Sequence, residues 1–369
     1  MTHVLFVTST LAVGGAEKHL RELAPGLRRH GLEPSVLTLR HEGRFFAELR
    51  REGIPVRCLE MRSRFDVVRA RRALVRTAPA PEVVVTQGAD AHALGRLVAR
   101  RTHATHVTIE HGGPGLDHRL HHRLVYRLIA PGVAAAIAVT DEQRGPLVGL
   151  GFRAEQIRVI PNGIVPLVAR ATREESRRRL GLMPDAFVAA LVATLRPEKR
   201  AVPFVEAVAA AHRQEGRIRG LVAGGGPDLP RVRAAARSAG DVVSVLGEVP
   251  DVAELIAACD VVCLLSRAEG LPLVVLEAMS LARPVLAPAV GGLLGAIETG
   301  VNGILVPPND DAAFVEALVA LARDPRRVEA LGRAARARFD DRYTVERMTS
   351  AYARLLREVA RTGASGGAR

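Results

Sequence analysis

The sequence predicts an α/β protein with two Rossmann-like parallel-sheet domains. Two observations lead to this prediction. Short apolar runs alternate with segments of helical spacing, and the alternation restarts after a turn-forming segment near the middle of the chain. Such alternation is typical of parallel sheets covered by helices on both faces. A chain of 369 residues, 48% of them hydrophobic, is long enough to give each domain its own core.

The predicted strands of the first half are short apolar runs. They are Val4–Thr8, Ser35–Leu39, Val83–Thr86, Thr105–Ile109, Ala135–Val139 and Arg158–Ile160. The helices between them are predicted from apolar residues that recur with helical spacing. They are Ala16–His30, Val67–Arg76, Ala91–Arg101, His118–Ile129 and Asp141–Leu150.

A turn-forming segment, Pro161–Pro166, marks the predicted domain boundary. We predict an N-terminal domain over residues 1–165 and a C-terminal domain over residues 166–344. The second domain repeats the alternation with strands at Phe187–Ala193, Gly220–Ala223, Val242–Leu246, Val261–Leu265, Val285–Ala287 and Ile304–Val306. Further helices are predicted at Thr172–Leu180, Leu273–Leu281, Asp311–Arg323, Arg326–Arg338 and Val345–Arg361.

The distribution of charge favours an anionic partner. The formal net charge is +13, and residues 1–165 hold 24 Lys and Arg against 15 Asp and Glu, a net charge of +9. A basic half of this kind suits an anionic membrane surface or an anionic acceptor. Nucleic acid is the competing interpretation. We expect no nucleic-acid partner, because aromatic residues make up only 3% of the chain and no nucleic-acid motif is present.

Two segments of the basic half have the pattern of basic amphipathic helices, Arg62–Arg76 and His118–Arg127. A helix of this kind can lie on anionic lipid. The alternative is that its apolar face packs on the sheet and leaves a solvated basic face. No apolar run approaches the roughly 20 residues of a membrane-spanning helix, and no signal-peptide pattern precedes the first strand. We therefore expect a cytoplasmic protein, with a peripheral place at the inner face of the membrane as the further expectation.

The segment Ser266–Met279 carries the strongest functional signal. Glu269 and Glu277 stand on either side of a turn, between a buried-strand pattern and a helix. The free N–H groups at such a helix start form an anion site, and carboxylates accept hydrogen bonds from hydroxyl groups. This arrangement fits a sugar nucleotide. The alternative interpretation is a solvated Glu269 and a Glu277 that favours the positive end of the helix dipole.

Further candidate residues follow other predicted strands. The Gly14-Gly15 loop and His111 lie in the first half, and Lys199 and the Gly224–Gly226 loop lie in the second. Ligands of parallel sheets bind at the carboxyl ends of the strands. We therefore expect these loops to face a ligand-binding cleft between the two predicted domains. Glycines allow a backbone to approach a phosphate or sugar closely, although a plain tight turn has the same pattern.

These segments together resemble the retaining glycosyltransferases of family 4, the group 1 glycosyltransferases with the GT-B fold. The similarity extends from about Val4 to Tyr352. The order of its motifs makes it specific: Gly14-Gly15-Ala16-Glu17, His111-Gly112, Pro161-Asn162-Gly163, Leu195–Lys199, Gly224–Pro227 and Glu269 with Glu277. The resemblance implies two Rossmann-like domains facing across a cleft, with a last helix, about 345–361, that crosses back onto the first domain.

The resemblance also implies an activity. Such an enzyme moves a hexose-type sugar from a nucleotide diphosphate sugar to a lipid, glycan or small-molecule acceptor, with retention of configuration. No cofactor and no metal are expected, and the chain has no Asp-x-Asp triplet of the kind that metal-using glycosyltransferases present. The implied catalytic residues are His111, Lys199 and Glu269. The implied donor-binding residues are Gly14, Gly15, Lys199, Gly270, Leu271, Leu273 and Glu277, and we add Arg196 as an assignment of our own.

Each charged residue of this set has an expected role. Lys199 stabilises the leaving diphosphate, Glu277 accepts bonds from the ribose diol, and Glu269 lies near the hydroxyls of the transferred sugar. His111 lies near the sugar, where an uncharged imidazole can donate to a hydroxyl. A histidine satisfied by the backbone at a strand end is the alternative for His111.

Two departures from the family pattern leave other functions open. Thr194 stands where an arginine is common in the family. We assign to Arg196 the positive charge that this arginine would bring to the diphosphate. Leu294-Gly295 stands where Pro-Glu is usual. A catalytically degenerate sugar-nucleotide-binding partner subunit is therefore an alternative. A GT-B-fold epimerase or phosphorylase is another, although a phosphorylase needs a pyridoxal phosphate lysine and Lys199 is the only lysine of the second half.

Overall fold

A computed structural model describes residues 1–12, 14–62, 66, 80–112, 120–249 and 251–366. The chain divides into two compact units. One unit combines Met1–Ile164 with Thr344–Arg369, and the other is Val165–Tyr343.

The described part of the first unit contains a seven-stranded sheet in the order β3-β2-β1-β4-β5-β6-β7. All of its strand pairs are parallel. The strands are β1 His3–Thr10, β2 Glu33–His41, β3 Val56–Cys58, β4 Val83–Gln87, β5 Thr105–Glu110, β6 Ala135–Ala138 and β7 Ile157–Val159. The order reverses between β1 and β4, which makes these two central strands a topological switch point.

The helices of the first unit follow the strands in alternation. They are α1 Gly15–Arg29, α2 Arg44–Arg51, α3 Ala89–Thr102, α4 Leu120–Ile129, α5 Arg144–Gly149 and, from the end of the chain, α14 Val345–Gly366. Short 3-10 turns lie at Ala130–Gly132, Asp141–Gln143 and Ala154–Gln156. The last helix packs against α1, so the end of the chain completes the first core.

In the second unit, the described strands form a six-stranded sheet in the order β10-β9-β8-β11-β12-β13, again with parallel pairs. They are β8 Phe187–Val192, β9 Ile218–Ala223, β10 Val243–Gly247, β11 Val261–Cys263, β12 Val285–Pro288 and β13 Gly303–Val306. The switch point of this sheet lies between β8 and β11.

The helices of the second unit cover its sheet. They are α6 Arg173–Arg179, α7 Ala201–Gln214, α8 Leu229–Ser238, α9 Val252–Ala258, α10 Leu273–Ser280, α11 Leu293–Ala296, α12 Asp311–Arg323 and α13 Pro325–Arg342. Short 3-10 turns lie at Pro197–Lys199 and Gly240–Val242.

Each strand predicted from the sequence is present, and no end differs by more than two residues. The sequence prediction missed β3, because this short edge strand exposes Arg57 between two partly buried residues and so lacks an apolar run. The predicted helix Val67–Arg76 lies outside the described residues. The predicted helix His118–Ile129 is described from Leu120 onward.

Successive side chains of β5 point to opposite faces of the sheet and lie in two different environments. Val107 and Ile109 join the core formed with α1 and α14. His106 and Glu110 point to the opposite face and are almost fully buried there. The same division holds on β4, where Val85 packs toward α1 and Thr86 joins the polar groups of the opposite face.

The polar groups of that second face form one connected network. Thr86 Oγ1 lies 2.7 Å from His92 Nδ1 and 3.0 Å from His106 Nε2. His92 Nε2 lies 3.0 Å from Glu110 Oε1, and the Tyr126 hydroxyl donates to Glu110 Oε2 at 2.7 Å. Burial lowers the pKa of His106 to about 3. The network therefore ties α3 and α4 to the strand that ends beside His111.

Replacing Tyr126 by Phe tests this network. The Y126F variant leaves a buried carboxylate oxygen without its donor, so we expect the free energy of unfolding to fall by about 1–3 kcal/mol. Tyr352 provides the matched control: its hydroxyl is equally buried but has no hydrogen-bond partner among the described residues. Y352F should leave stability unchanged or raise it slightly. Equal effects of the two variants in urea unfolding would show that the network does not stabilise the fold.

Candidate active site

The loops at the switch point of the second sheet bring Lys199 and Glu269 together. Lys199 ends the 3-10 turn that follows β8, and Glu269 lies on the loop that follows β11. The lysine Nζ donates to Glu269 Oε1 at 2.6 Å, and the two side chains are 24% and 7% exposed. A backbone bond from Arg267 N to Glu198 O, 3.0 Å long, joins the same two loops. The charged pair is therefore held by the backbone as well as by its own attraction.

Glu277 lies one turn into α10, the helix that follows Glu269. It is 6% exposed. Pro272 precedes the first helical residue, and no described side chain caps this helix start. The helix thus begins beside the loop that carries Glu269, with N–H groups of its first turn available to an anion. The structure places both motif glutamates as the sequence predicts, one before the helix and one inside it.

The other predicted donor-binding residues of this segment are buried. Gly270, Leu271 and Leu273 have almost no exposed surface. The N–H of Gly292 donates to the carbonyl oxygen of Glu269 at 3.2 Å, which ties the loop after β12 to the same segment. The backbone of this segment is therefore tied to a neighbouring loop, and its leucine side chains are removed from solvent.

The loop after β8 lies against the glycine-rich loop after β9. The N–H of Leu195 donates to the Gly225 carbonyl at 2.7 Å. Gly224 has a φ of +135°, and a Cβ there would lie 1.8 Å from the Ala193 carbonyl oxygen. Backbone packing alone thus requires glycine at this position. Thr194 and Arg196 are exposed on the loop, and Arg196 forms no ion pair with any described residue.

In the first unit, His111 follows β5 and contacts Gln87 at the end of β4. His111 Nε2 lies 3.0 Å from Gln87 Oε1, and Gln87 Nε2 donates to the Ala16 carbonyl oxygen at 2.9 Å. His19 packs edge-on against His111, with ring centroids 4.6 Å apart. Burial lowers the pKa of His111 to about 4 and lowers that of His19 well below its ordinary value. Both imidazoles are therefore uncharged at neutral pH.

The Gly14-Gly15 loop leads directly into this group. Gly14 has extended backbone, with a φ of −170°, and Gly15 is the first residue of α1. A Cβ at Gly15 would meet no described atom within 4 Å. Neither residue has the positive φ that favours glycine, so the described backbone conformation does not by itself require glycine at these positions.

Sequence reasoning missed the partners of His111. Gln87 extends the predicted strand Val83–Thr86 by one residue, and its only sequence signal is a polar side chain at a strand end. His19 lies within a predicted helix and carries no motif of its own. Glu110, which precedes His111 in the chain, lies instead in the network on the opposite face of β5.

Helix α4 exposes leucines beside arginines. Tyr126 and Ile129 are buried against the unit, whereas Leu124 and Leu128 are 59% and 70% exposed. Arg123 and Arg127 share the exposed side. The prediction for Arg62–Arg76 lies largely outside the described residues. Among the helices that the structure describes, none is long and apolar enough to span a membrane.

The two sets of candidate residues belong to different units. His111, Gly14 and Gly15 lie in the first, and Lys199, Arg196, Glu269 and Glu277 lie in the second. Across the described residues, no group of three or more His, Cys, Asp or Glu side chains is placed to hold a metal ion.

Two family models match the chain. The model for Glycosyltransferase Family 4 matches residues 13–166, and the model for Glycosyl transferases group 1 matches residues 172–338. Together they account for most of both units. The chain belongs to this family of glycosyltransferases, as its motifs predicted.

Curated relatives support the same assignment. The D-inositol 3-phosphate glycosyltransferase of Kribbella flavida is 34% identical over 214 residues, which are 54% of this chain and 50% of that protein. The protein of the same name from Stackebrandtia nassauensis is 35% identical over 239 residues, 59% of this chain and 53% of that protein. The chain spans about half the length of the curated relatives it matches.

Solved structures confirm the predicted GT-B fold. Anabaena HepE, solved in complex with UDP and glucose, has a TM-score of 0.86 at 22% identity and covers 97% of this chain and 100% of its own. Sucrose-phosphate synthase from Thermosynechococcus elongatus has a TM-score of 0.81 at 19% identity and covers 97% and 99%. At these identities the likeness establishes the fold alone.

Removing Lys199 should destabilise the protein as well as the site. In K199A the buried Glu269 carboxylate loses its cation, so we expect the free energy of unfolding to fall by about 1–3 kcal/mol. The double variant K199A/E269Q should recover most of this loss, because a neutral amide costs less to bury than an unpaired carboxylate. Urea unfolding of the wild type, both single variants and the double variant measures the coupling. Losses that simply add would contradict the proposed dependence of Glu269 on Lys199.

Proposed function

We propose that this protein transfers a hexose-type sugar from a nucleoside diphosphate sugar to an acceptor hydroxyl, with retention of configuration and without a metal ion. The observation that carries the proposal is the Lys199–Glu269 pair at the switch point of the second sheet, directly before the helix that carries Glu277. Family membership supports this interpretation. The complexes of Anabaena HepE with UDP and with UDP-glucose favour a uridine diphosphate sugar as the donor.

Lys199 suits the charge change of this reaction. The bond between the anomeric carbon and the diphosphate oxygen breaks, and the oxygen of the acceptor bonds to the same carbon on the same face. The acceptor proton passes to the departing diphosphate. Negative charge on the diphosphate therefore grows as the reaction proceeds, and a nearby ammonium group stabilises the transition state more than the bound donor.

The two glutamates suit recognition of hydroxyl groups. In the proposed complex, Glu277 accepts hydrogen bonds from the ribose diol, and Glu269 accepts from the transferred sugar. Both side chains are already removed from most solvent. A donor that lacks the matching hydroxyl loses a charge-assisted hydrogen bond to one of these carboxylates, which is a basis for selectivity.

Metal independence is part of the proposal. Lys199 and the start of α10 supply the positive charge that a divalent ion supplies elsewhere. Transfer is therefore expected to continue in excess chelator. Complete loss on chelation, restored by manganese or magnesium, would contradict this part of the proposal.

A kinetic comparison tests the donor site. A panel of nucleoside diphosphate sugars and acceptors identifies the reaction, and the E277A variant is then measured with the best donor. We expect its apparent donor binding to weaken by about 1–3 kcal/mol, because the ribose hydroxyls lose their acceptor.

The matched control for E277A is E316A, which removes an exposed glutamate from α12 in the same unit. E316A should keep wild-type kinetics. Wild-type kinetics in E277A would refute the assignment of Glu277. Donor binding without turnover across the acceptor panel would favour the degenerate binding subunit instead.

We further propose a cytoplasmic protein whose first unit works at an anionic membrane surface, with α4 as the contact. The exposed leucines and arginines of this helix support the proposal, because they combine an apolar surface with positive charge on the side that does not pack on the unit. Helices that lie on membranes combine these two properties.

Co-sedimentation with vesicles tests the membrane proposal. The wild type should bind vesicles that contain anionic lipid and not neutral ones, and binding should weaken as salt rises. R123E/R127E should lose about tenfold or more of this binding, since each basic residue near the surface contributes about 1 kcal/mol. R50E/R51E, the same charge change on α2, is the control. Absent binding at low salt, or equal losses in both variants, would exclude α4 as the contact.

A further inference from the structure

Gln87 connects the two parts of the first unit's site. Its side chain lies between His111, which follows β5, and the first turn of α1, which begins at Gly15. It is 5% exposed. The amide is therefore held on both sides, and its orientation determines which nitrogen of the His111 ring carries the proton.

The orientation of the amide follows from its partners. The Ala16 carbonyl oxygen, 2.9 Å away, can only accept a hydrogen bond, so the nitrogen of Gln87 must face it. The oxygen of Gln87 then faces His111 Nε2 at 3.0 Å. An amide oxygen can only accept, and so His111 Nε2 must carry a proton.

The protonation of Nε2 also determines the state of the second ring nitrogen of His111, Nδ1. Burial lowers the pKa of His111 to about 4, so the ring is neutral and holds one proton. With that proton on Nε2, Nδ1 has only a lone pair and acts as a hydrogen-bond acceptor. This reverses the direction expected from the sequence, in which the imidazole donates to a sugar hydroxyl.

The described surroundings of His111 favour the neutral ring. His19 from α1 packs against it, and Tyr352 from α14 lies behind His19 at a ring separation of 5.6 Å. Burial raises the pKa of Tyr352 and lowers that of His19, so both are uncharged at neutral pH. The nearest carboxylate along the chain, Glu110, joins Tyr126 on the opposite face of β5.

We propose that Gln87 is a positioning residue that holds His111 as its Nε2–H tautomer, so that Nδ1 accepts a hydrogen bond from a hydroxyl group of the transferred sugar. The identity of the ligand rests on the proposed function, whereas the tautomer does not. A fixed tautomer spares the site the cost of reorganising the ring when the sugar binds.

Nitrogen-15 NMR of the free protein tests the tautomer without any substrate. Histidine is labelled in the ring, and the His111 signals are identified by their loss in H111Q. The wild type should show the Nε2–H pattern for His111 at pH 7. Q87M, close to glutamine in size but without hydrogen-bonding groups, should shift His111 to a mixture of tautomers. An Nδ1–H pattern in the wild type, or an unchanged pattern in folded Q87M, would overturn the proposal.

The pH profile of transfer tests the functional part. Q87E keeps an oxygen beside His111 Nε2 and adds a negative charge, which raises the pKa of the ring by about 1–3 units. Because only neutral His111 offers its lone pair, activity falls as the pH drops below that pKa. The acid limb of kcat/KM should therefore move up by about 1–3 pH units in Q87E.

The two tests separate the possible failures. A uniform loss of activity in Q87E, with no shift of the acid limb, would mean that Gln87 only braces the fold and would overturn the proposal. If the NMR pattern is as expected but no sugar is transferred from any donor, the proposed function fails while the assigned tautomer stands.

Discussion

Parallel strand pairing is the constraint on which the other features of this protein depend. All pairs in the described parts of both sheets run in the same direction, so the carboxyl ends of the strands meet at one edge of each sheet. The reversal of strand order then separates the loops after two central strands and opens a place for a ligand. In the second unit this brings Lys199 and Glu269 together across 70 residues of sequence. In the first unit it brings the ends of β4 and β5 to the start of α1.

Both candidate sites contain polar groups that are held in position without a ligand. Lys199 is paired with a buried carboxylate, and His111 is bonded to an amide that is itself fixed by a backbone carbonyl. Side chains that are already ordered lose little further freedom on binding, so more of the interaction energy remains for the transition state. The Lys199–Glu269 pair also limits how far the lysine moves, because leaving the carboxylate unpaired is costly.

The sequence was sufficient for the fold, and it indicated which loops carry the candidate residues. Apolar runs with regular spacing predicted the strands, because burial in a sheet core favours apolar residues. Strand β3 was missed because none of its three residues is fully buried and they do not form an apolar run. The motif glutamates were singled out because their chemistry and spacing are distinctive, and their roles stay predictions. Gln87 and His19 were missed because their importance lies in contacts that only the folded chain creates. Arg196, proposed as a replacement for the family arginine, is exposed and unpaired within the described residues.

The most direct measurement of the central claim is calorimetric titration of the wild type and K199A with UDP and UMP. If Lys199 holds the diphosphate, the wild type should bind UDP about tenfold or more tightly than UMP, since a charge-assisted contact to the second phosphate contributes about 1.4 kcal/mol or more. K199A, shown to be folded, should lose most of this preference while its affinity for UMP changes less. Full retention of the preference for UDP in K199A would contradict the account.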